Sequence, residues 1–508
     1  MVGNTVRTEG TPVAAQVPAA AHSPAAAEEV PRPRKVLITA AECAPLAKSG
    51  GLADVVGALP KYLAELGTEA RVILPYHRVI KDKHRLQTEH LCDFYVDLGW
   101  RHQYVGVEKL VLDGVTYYLV DNEFYFGGPI YCGGEFEAEQ YAFLTRAVLE
   151  AIPRLDFDPQ VLHCNDWHTA AMPFLLKTQY AGQPQGGLKT LLTLHNLAYQ
   201  GSYDHGLLHD LLGIGHEYAG VDQIGHFGQD NLLKAGIRYA DAVNTVSPTY
   251  AREICTPQFG ETLEGVLAER GSGLTGILNG IDTQVWDPAC DGLLPPGGTY
   301  TASDLAGKAL CKAALQRELG LDPNPAAPLI AMVGRLTPQK GIDLVDAALD
   351  HLMERGVQLA ILGSGYPCYE ESLREAESRY PGRVCSYIGY NGALSHRMYA
   401  GADLFLMPSA FEPCGISQMI AMRYGTLPIV RETGGLRDTV VPYNRFTGAG
   451  TGFSFADYSA DVLLQTVDRA LEAWLDDPVR TRLIEQAMAA DVGFAPCAAA
   501  YQNLYERL

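Results

Sequence analysis

From residue 34 onward, short apolar runs alternate with longer stretches in which apolar side chains recur every three or four positions. Lys35–Ala41 (KVLITAA) is β-branched and apolar, which predicts a buried strand. Leu52–Leu66 then sets Leu52, Val55, Val56, Leu59, Leu63 and Leu66 at helical spacing. Val161–Cys164 predicts a second strand, followed by a helical Thr169–Tyr180. Leu188–Leu194 and Ala242–Val246 predict two more strands. After about residue 275 the pattern restarts, with strands at Pro328–Val333, Val357–Leu362, Val384–Ile388, Leu404–Met407 and Leu427–Val430. Helices are predicted at Ile342–Met353 and Tyr369–Ser378. Such alternation implies parallel sheets covered on both faces. The expected fold class is α/β, with two Rossmann-like doubly wound domains facing across a cleft. One spans 34–275 and the other 276–479, and the Gly/Pro/Ala-rich ends of Asp287–Pro328 mark the region of their connection. No short repeat period occurs, which excludes a solenoid.

Length changes this picture little: 508 residues fit two or three domains, each able to bury a core. Charge excludes more. Fifty-nine acidic residues against 39 basic give a formal net charge of −20. That balance disfavours general binding to nucleic acid or to an anionic membrane, while leaving room for a small cationic pocket. No apolar run reaches the roughly 18–20 residues of a membrane span. The 11 cysteines are scattered, odd in number and free of any C-x-x-C. They predict reduced thiols in a cytoplasmic protein rather than a disulfide framework or zinc ribbon. Residues 1–33 are Ala/Pro/Val-rich with acidic residues and one serine, Ser23. This stretch lacks the apolar core of a signal peptide and is expected to be a disordered tail.

In open parallel sheets, ligands bind beyond the carboxyl ends of the strands. The residues at those ends are the candidates. KSGG (48–51) joins the first strand to its helix, so Lys48, Gly50 and Gly51 form either an anion cradle or a plain glycine turn. HCNDWHT (163–169) supplies Asp166 after a strand; its spacing matches no zinc signature, and no metal site is expected. TLHNLAYQG (193–201) supplies His195 and Asn196, where a lone histidine is more often structural. GRLTPQKG (334–341) carries Arg335 and Lys340, a planar fork and a point charge suited to a diphosphate. FEPCG (411–415) places Glu412, Cys414 and Gly415 before a helix. That carboxylate could complement the helix dipole or accept from sugar hydroxyls. RETGGL (431–436) brings Thr433, Gly434 and Gly435 to another helix start, and Tyr390 follows the strand Val384–Ile388. LGSGYP (362–367) lacks the third glycine of a dinucleotide site, since position 368 is Cys. Neither a P-loop nor a G-x-S-x-G elbow occurs.

Taken in order, KSGGLADVVGALPK, HCNDWHT, TLHNLAYQG, LKAGIRYAD, TVSPTYAREI, GILNGID, GRLTPQKGIDL, ADLFLMPS, FEPCGISQ and RYGTLPIVRETGGL resemble the blocks of one family. It is that of the bacterial glycogen synthases and plant starch synthases, retaining glycosyltransferases of GT-B fold. The resemblance runs from about Lys35 to the C-terminus. It implies glucose transfer from ADP-glucose to the non-reducing 4-hydroxyl of an α-1,4-glucan such as glycogen, with no cofactor or metal. By motif match, Arg335 and Lys340 would hold the leaving diphosphate, with Lys48 and the amides around Gly50 and Gly51 near the phosphates. Glu412 would position the donor glucose, Asp166 and His195 would line the glucose and acceptor side, Tyr390 would stack on the base, and the Thr433–Gly435 turn would help bind the distal phosphate. A C-terminal helix at about 480–508 is expected to pack back on the first domain. Oligomeric state is left open.

Four positions depart from the pattern. Ile420 stands where many relatives of the wider fold have a second glutamate, as is usual in this branch; Ala410 replaces an arginine before FEPCG; Asn391 and Gly392 replace an acidic pair beside the expected base pocket. The last change keeps a UDP-glucose-dependent or short-acceptor glucosyltransferase as an alternative. A non-catalytic glucan-binding protein is the alternative from another class, though Lys48, Arg335, Lys340 and Glu412 are all retained.

Overall fold

The computed structural model describes residues 34–508; the expected disordered tail, residues 1–33, lies outside the described residues. In chain order the first lobe contains β1 (Lys35–Thr39), β2 (Glu69–Pro75), β3 (Glu89–Leu98), β4 (Arg101–Leu112), β5 (Val115–Asp121), β6 (Val161–Asn165), β7 (Lys189–Leu194), β8 (Ser202–Tyr203), β9 (Gly225–His226), β10 (Gln229–Asn231), β11 (Ala242–Thr245) and β12 (Leu274–Gly276). Nine of these form one sheet in the order β12-β11-β7-β6-β1-β2-β5-β4-β3, and β8, β10 and β9 form a small second sheet. The second lobe holds β13 (Leu329–Val333), β14 (Gln358–Gly363), β15 (Val384–Ile388), β16 (Leu404–Met407), β17 (Leu427–Arg431) and β18 (Phe453–Phe455), ordered β15-β14-β13-β16-β17-β18. All pairings in this second sheet are parallel.

The expectation of parallel strands needs one correction. The first sheet is parallel from β12 to β5, but β3–β4 and β4–β5 pair antiparallel. The β4–β5 turn is Asp113–Gly114, both at positive φ (50° and 79°), a hairpin turn whose handedness suits the strand twist. The hairpin alternates buried and exposed positions because only one of its faces meets the core. Each large sheet is covered on both faces; strand interiors such as Val36, Leu37, Ile38, Leu359, Ala360 and Phe405 are fully buried.

The C-terminal segment is not the single expected helix. Helix Asp477–Ala489 remains with the second lobe, packing on helix Ser417–Arg423. The chain then crosses at residues 491–493, and helix Phe494–Arg507 lies on helix Gly51–Glu65 of the first lobe. The break follows from the sequence, where Asp491 and Gly493 interrupt the apolar spacing. At the crossing Ile281 N–H donates to the Val492 carbonyl at 2.8 Å. A Cβ on Gly280 would meet the Gly493 carbonyl at 2.2 Å, so only glycine allows this approach. The last helix is stitched to the sheet below it by buried polar groups. His163 bonds the Tyr505 hydroxyl at 2.8 Å and Thr193 at 2.7 Å, and Asn244 donates to the Tyr501 hydroxyl at 3.1 Å.

Candidate active site

The first lobe brings its candidates together at the carboxyl ends of β1, β6 and β7. Asp166 follows β6 with φ 55° and ψ −175°, a backbone region that residues other than glycine seldom enter. Its carboxylate turns toward β7, where the His195 and Asn196 amides donate to Oδ1 at 2.7 and 3.4 Å. Burial pushes the Asp166 carboxyl up to about 7, against the pull of those amides. Asn165 donates through Nδ2 to the Thr39 carbonyl, which leaves its Oδ1 facing His195 Nε2 at 2.9 Å. Burial holds the His195 imidazole down to about 3, so the ring is neutral, with its proton on Nε2 and a lone pair on Nδ1. This node can accept hydrogen bonds from hydroxyl groups without adding a positive charge.

The glycine turn after β1 is arranged otherwise than its motif suggests. The Ser49 and Gly50 amides both donate to Glu42, the latter at 3.1 Å. Glu42 is buried, and Tyr131 also bonds it. A carboxylate of the protein therefore occupies the amides expected to face a phosphate. Lys48 Nζ lies 2.7 Å from Asp54 in the first turn of the following helix. Gly51 is left facing the other lobe: a Cβ there would stand 3.2 Å from the Ile416 Cδ1.

The second lobe contributes the cations. Lys340 Nζ sits 2.6 Å from Glu412 Oε2, and the Ser409 hydroxyl donates to the same oxygen at 3.1 Å. Glu412 is 6% exposed, so the pair is largely desolvated and breaking it would strand a buried charge. The turn that presents Lys340 depends on Gly341, at φ 72°, whose Cβ would meet the Pro408 carbonyl at 2.1 Å. Arg335 reaches across the cleft, donating to the Tyr199 hydroxyl and to Gln339, both at 3.1 Å. Gly415 has φ 74°, and the neighbouring Cys414 is buried, its thiol pushed far up by burial. Thr433 and Gly434 bond Glu253 of the first lobe at 3.0–3.3 Å, while Gly435 N–H donates to the Glu412 carbonyl at 3.2 Å. Tyr390 stands apart, 88% exposed on the loop after β15. Ile420, where the wider fold often has glutamate, is buried in the second-lobe core.

Between the walls lies a cavity of about 290 Å³. Tyr250, Phe259 and Glu261 line it from one side, and Phe411, Arg431 and Tyr458 from the other. Among the described residues no group of three or more His, Cys, Asp and Glu could hold a metal ion. Sequence reasoning assigned no role to Glu42, Tyr131, Tyr199 or Glu253. Glu42 alone carried a signal, as a carboxylate just after a strand.

Comparisons with known proteins place the chain in a family. Residues 35–269 match the family described as the starch synthase catalytic domain, and residues 320–489 that of glycosyl transferases group 1. The glycogen synthase of Desulforamulus reducens is 45% identical over 475 residues, covering 93% of this chain and 98% of that one. The glycogen synthase of Geobacillus stearothermophilus is 46% identical over the same length and shares. Among solved structures, the catalytic domain of starch synthase IV from Arabidopsis thaliana, bound to ADP and acarbose, superposes with a TM-score of 0.86. It is 32% identical, over 93% of this chain and 99% of that one. Sucrose-phosphate synthase from Thermosynechococcus elongatus, 18% identical with a TM-score of 0.58, over 93% of this chain and 98% of that one, shares the fold. The chain belongs to the glycogen and starch synthase family of retaining GT-B glycosyltransferases.

Proposed function

We propose that this protein elongates an α-1,4-glucan, taking glucose from ADP-glucose and joining it to the non-reducing 4-hydroxyl with retention, without a metal or cofactor. The observation that carries the reading is the desolvated Lys340–Glu412 pair, set beside Arg335 and across a cleft from Asp166 and His195. The C1–O bond to the diphosphate breaks and its electron pair leaves with ADP. The acceptor oxygen forms the new C1–O bond on the same face, and its proton ends on the released diphosphate. Negative charge grows on the leaving group while positive charge grows on the sugar ring.

Arg335 and Lys340 meet the first of these charges. Lys340 exchanges part of its bond to Glu412 for the diphosphate, which frees Glu412 to accept from glucose hydroxyls. Asp166 accepts from a sugar hydroxyl on the opposite wall, and the neutral His195 adds a hydrogen bond without repelling the oxocarbenium-like ring. Fixed donors to the leaving diphosphate, such as Arg335 and Lys340, are typically worth ~10²–10³ in rate each. Lys48 releases Asp54 to reach the phosphates, with the Gly51 amide beside it, because Glu42 already holds the Ser49 and Gly50 amides. Tyr390 is assigned to the base, while the Thr433–Gly434–Gly435 turn borders the phosphates with its Thr433 hydroxyl and Gly434 amide held by Glu253. The free cysteines among the described residues fit a reducing, cytoplasmic setting.

Incubation with ADP-glucose and a defined maltooligosaccharide tests this reading. It predicts products longer by whole glucose units, with the new anomeric proton in the α configuration. Unextended acceptor, or a β-linked product, would overturn it.

A further inference from the structure

Two six-residue helices meet back to back between the lobes, each capped by a carboxylate from the other. Helix Pro248–Glu253 follows β11 of the first lobe, and helix Gly434–Thr439 follows β17 of the second. Asp438, near the end of the second-lobe helix, accepts from Ser247 Oγ at 2.7 Å, from Thr249 N–H at 2.9 Å and from Thr249 Oγ1 at 2.6 Å. All three donors sit at the start of the first-lobe helix. Glu253, at the end of that helix, accepts from Gly434 N–H at 3.0 and 3.1 Å and from the Thr433 hydroxyl at 3.2 and 3.3 Å. The helices therefore run antiparallel, and each carboxylate meets the positive end of the other's dipole.

The place of this clasp gives it consequence. On one side it abuts the end of β12: a Cβ on Gly276, the last residue of that strand, would meet the Ser247 carbonyl at 2.3 Å. On the other side it touches the Glu412 loop. A Cβ on Gly434 would meet the Glu412 carbonyl at 1.9 Å, and one on Gly435 the Cys414 carbonyl at 2.2 Å. Gly435 N–H also donates to the Glu412 and Pro413 carbonyls at 3.2 and 3.1 Å. Any rotation of one lobe against the other that moves helix Gly434–Thr439 thus moves the backbone of Glu412 with it.

We infer that Glu253 and Asp438 are positioning residues, the two halves of a pivot clasp that sets where Glu412 stands relative to Asp166 and His195. The inference rests on the proposed glucosyl transfer for its kinetic readout, but not for its structural one. Opening the clasp lets the Glu412 loop follow a second lobe no longer registered on the first. A displacement near 1 Å at a reacting centre costs about 10²-fold in rate. Most of the diphosphate contact is spared, because Arg335 and Lys340 ride on the same lobe as Glu412 and only Lys48 and the Gly51 amide reach from the other.

The test compares the wild-type chain with E253A, D438A, the double variant and E253Q. ADP affinity, kcat with ADP-glucose and glycogen, thermal unfolding and small-angle scattering are measured on each. The double variant is expected to lose about 10²-fold in kcat and to show a larger radius of gyration. Its ADP dissociation constant should stay within about threefold, the signature of an interaction used in the transition state. E253Q keeps an acceptor for Gly434 and should retain most of kcat. Unchanged kcat and scattering in the double variant would overturn the inference. So would a kcat loss that only follows loss of folded protein, or an E253Q as impaired as E253A. If the wild type transfers no glucose, the proposed function fails while the scattering comparison still decides the clasp.

Discussion

Asp166 should destabilise the protein it serves, and that cost can be read by titration. Its backbone lies at φ 55° and ψ −175°, a strain of order 1–3 kcal/mol for a residue with a side chain. Its carboxyl is buried and raised from 3.8 to about 7. Between these values the folded state binds more protons than the unfolded chain, so stability falls as pH rises through that window. Above pH 7 the penalty is complete: about 3 pH units at about 1.4 kcal/mol each, or ~4 kcal/mol. Asp166→Asn keeps the acceptor for the His195 and Asn196 amides, tolerates positive φ better than most residues and removes the charge. The variant should therefore unfold at a higher temperature than wild type at pH 8. At about 1 °C per kcal/mol for a unit of this size the gain is about 4 °C. The gain should shrink toward zero as pH falls to about 4. Glucosyl transfer should drop by ~10²–10³, because a charged acceptor toward the sugar is lost. Scanning calorimetry of both proteins from pH 4 to 8 is the assay. Equal transition temperatures at pH 8, or a difference independent of pH, would show that the buried Asp166 charge carries no such penalty.

Glu412→Ala and Lys340→Ala should each lower kcat by ~10²–10³ with the fold intact by circular dichroism. Lys340→Ala should also lower the unfolding temperature, since it leaves a desolvated carboxylate unpaired, and the double variant should regain stability but not activity. Gly280→Ala forces a Cβ against the Gly493 carbonyl and should lower the unfolding temperature, whereas Gly187→Ala, with open space around it, should not. Tyr501→Phe removes the hydroxyl that Asn244 and Thr193 bond. A buried donor left unpaired costs about 1–3 kcal/mol, which should appear as faster hydrogen exchange in residues 494–507.

Local chemistry made much of this molecule readable. A strand followed by a polar turn and an amphipathic helix fixes where a side chain stands, so Asp166, His195, Lys340 and Glu412 could be placed at sheet rims from their motifs alone. The alternation that located β13 to β17 has the same origin, since parallel strands buried on both faces read as continuous apolar runs. What escaped depends on distance along the chain. Asp113–Gly114 is a clear local turn signal, yet the antiparallel edge it makes follows from pairing that helical alternation does not announce. Nothing within RETGGL says that its amides face Glu253, 181 residues earlier. Nor does KSGG show that Glu42 already holds two of its N–H groups. In both places a motif that suits a phosphate is occupied by the protein's own carboxylate, and only the tertiary structure reveals the competitor. The break at 491–493 was locally visible, but which lobe each resulting helix joins is a matter of packing.

Whether the protein is an ADP-glucose-dependent glucan synthase is decided by offering it ADP-glucose or UDP-glucose, with and without glycogen, and following nucleoside diphosphate release. Release from ADP-glucose that requires glycogen and exceeds release from UDP-glucose is the predicted result. Faster release from UDP-glucose would contradict the donor assignment, and no glycogen-dependent release from either would contradict the glucan synthase itself.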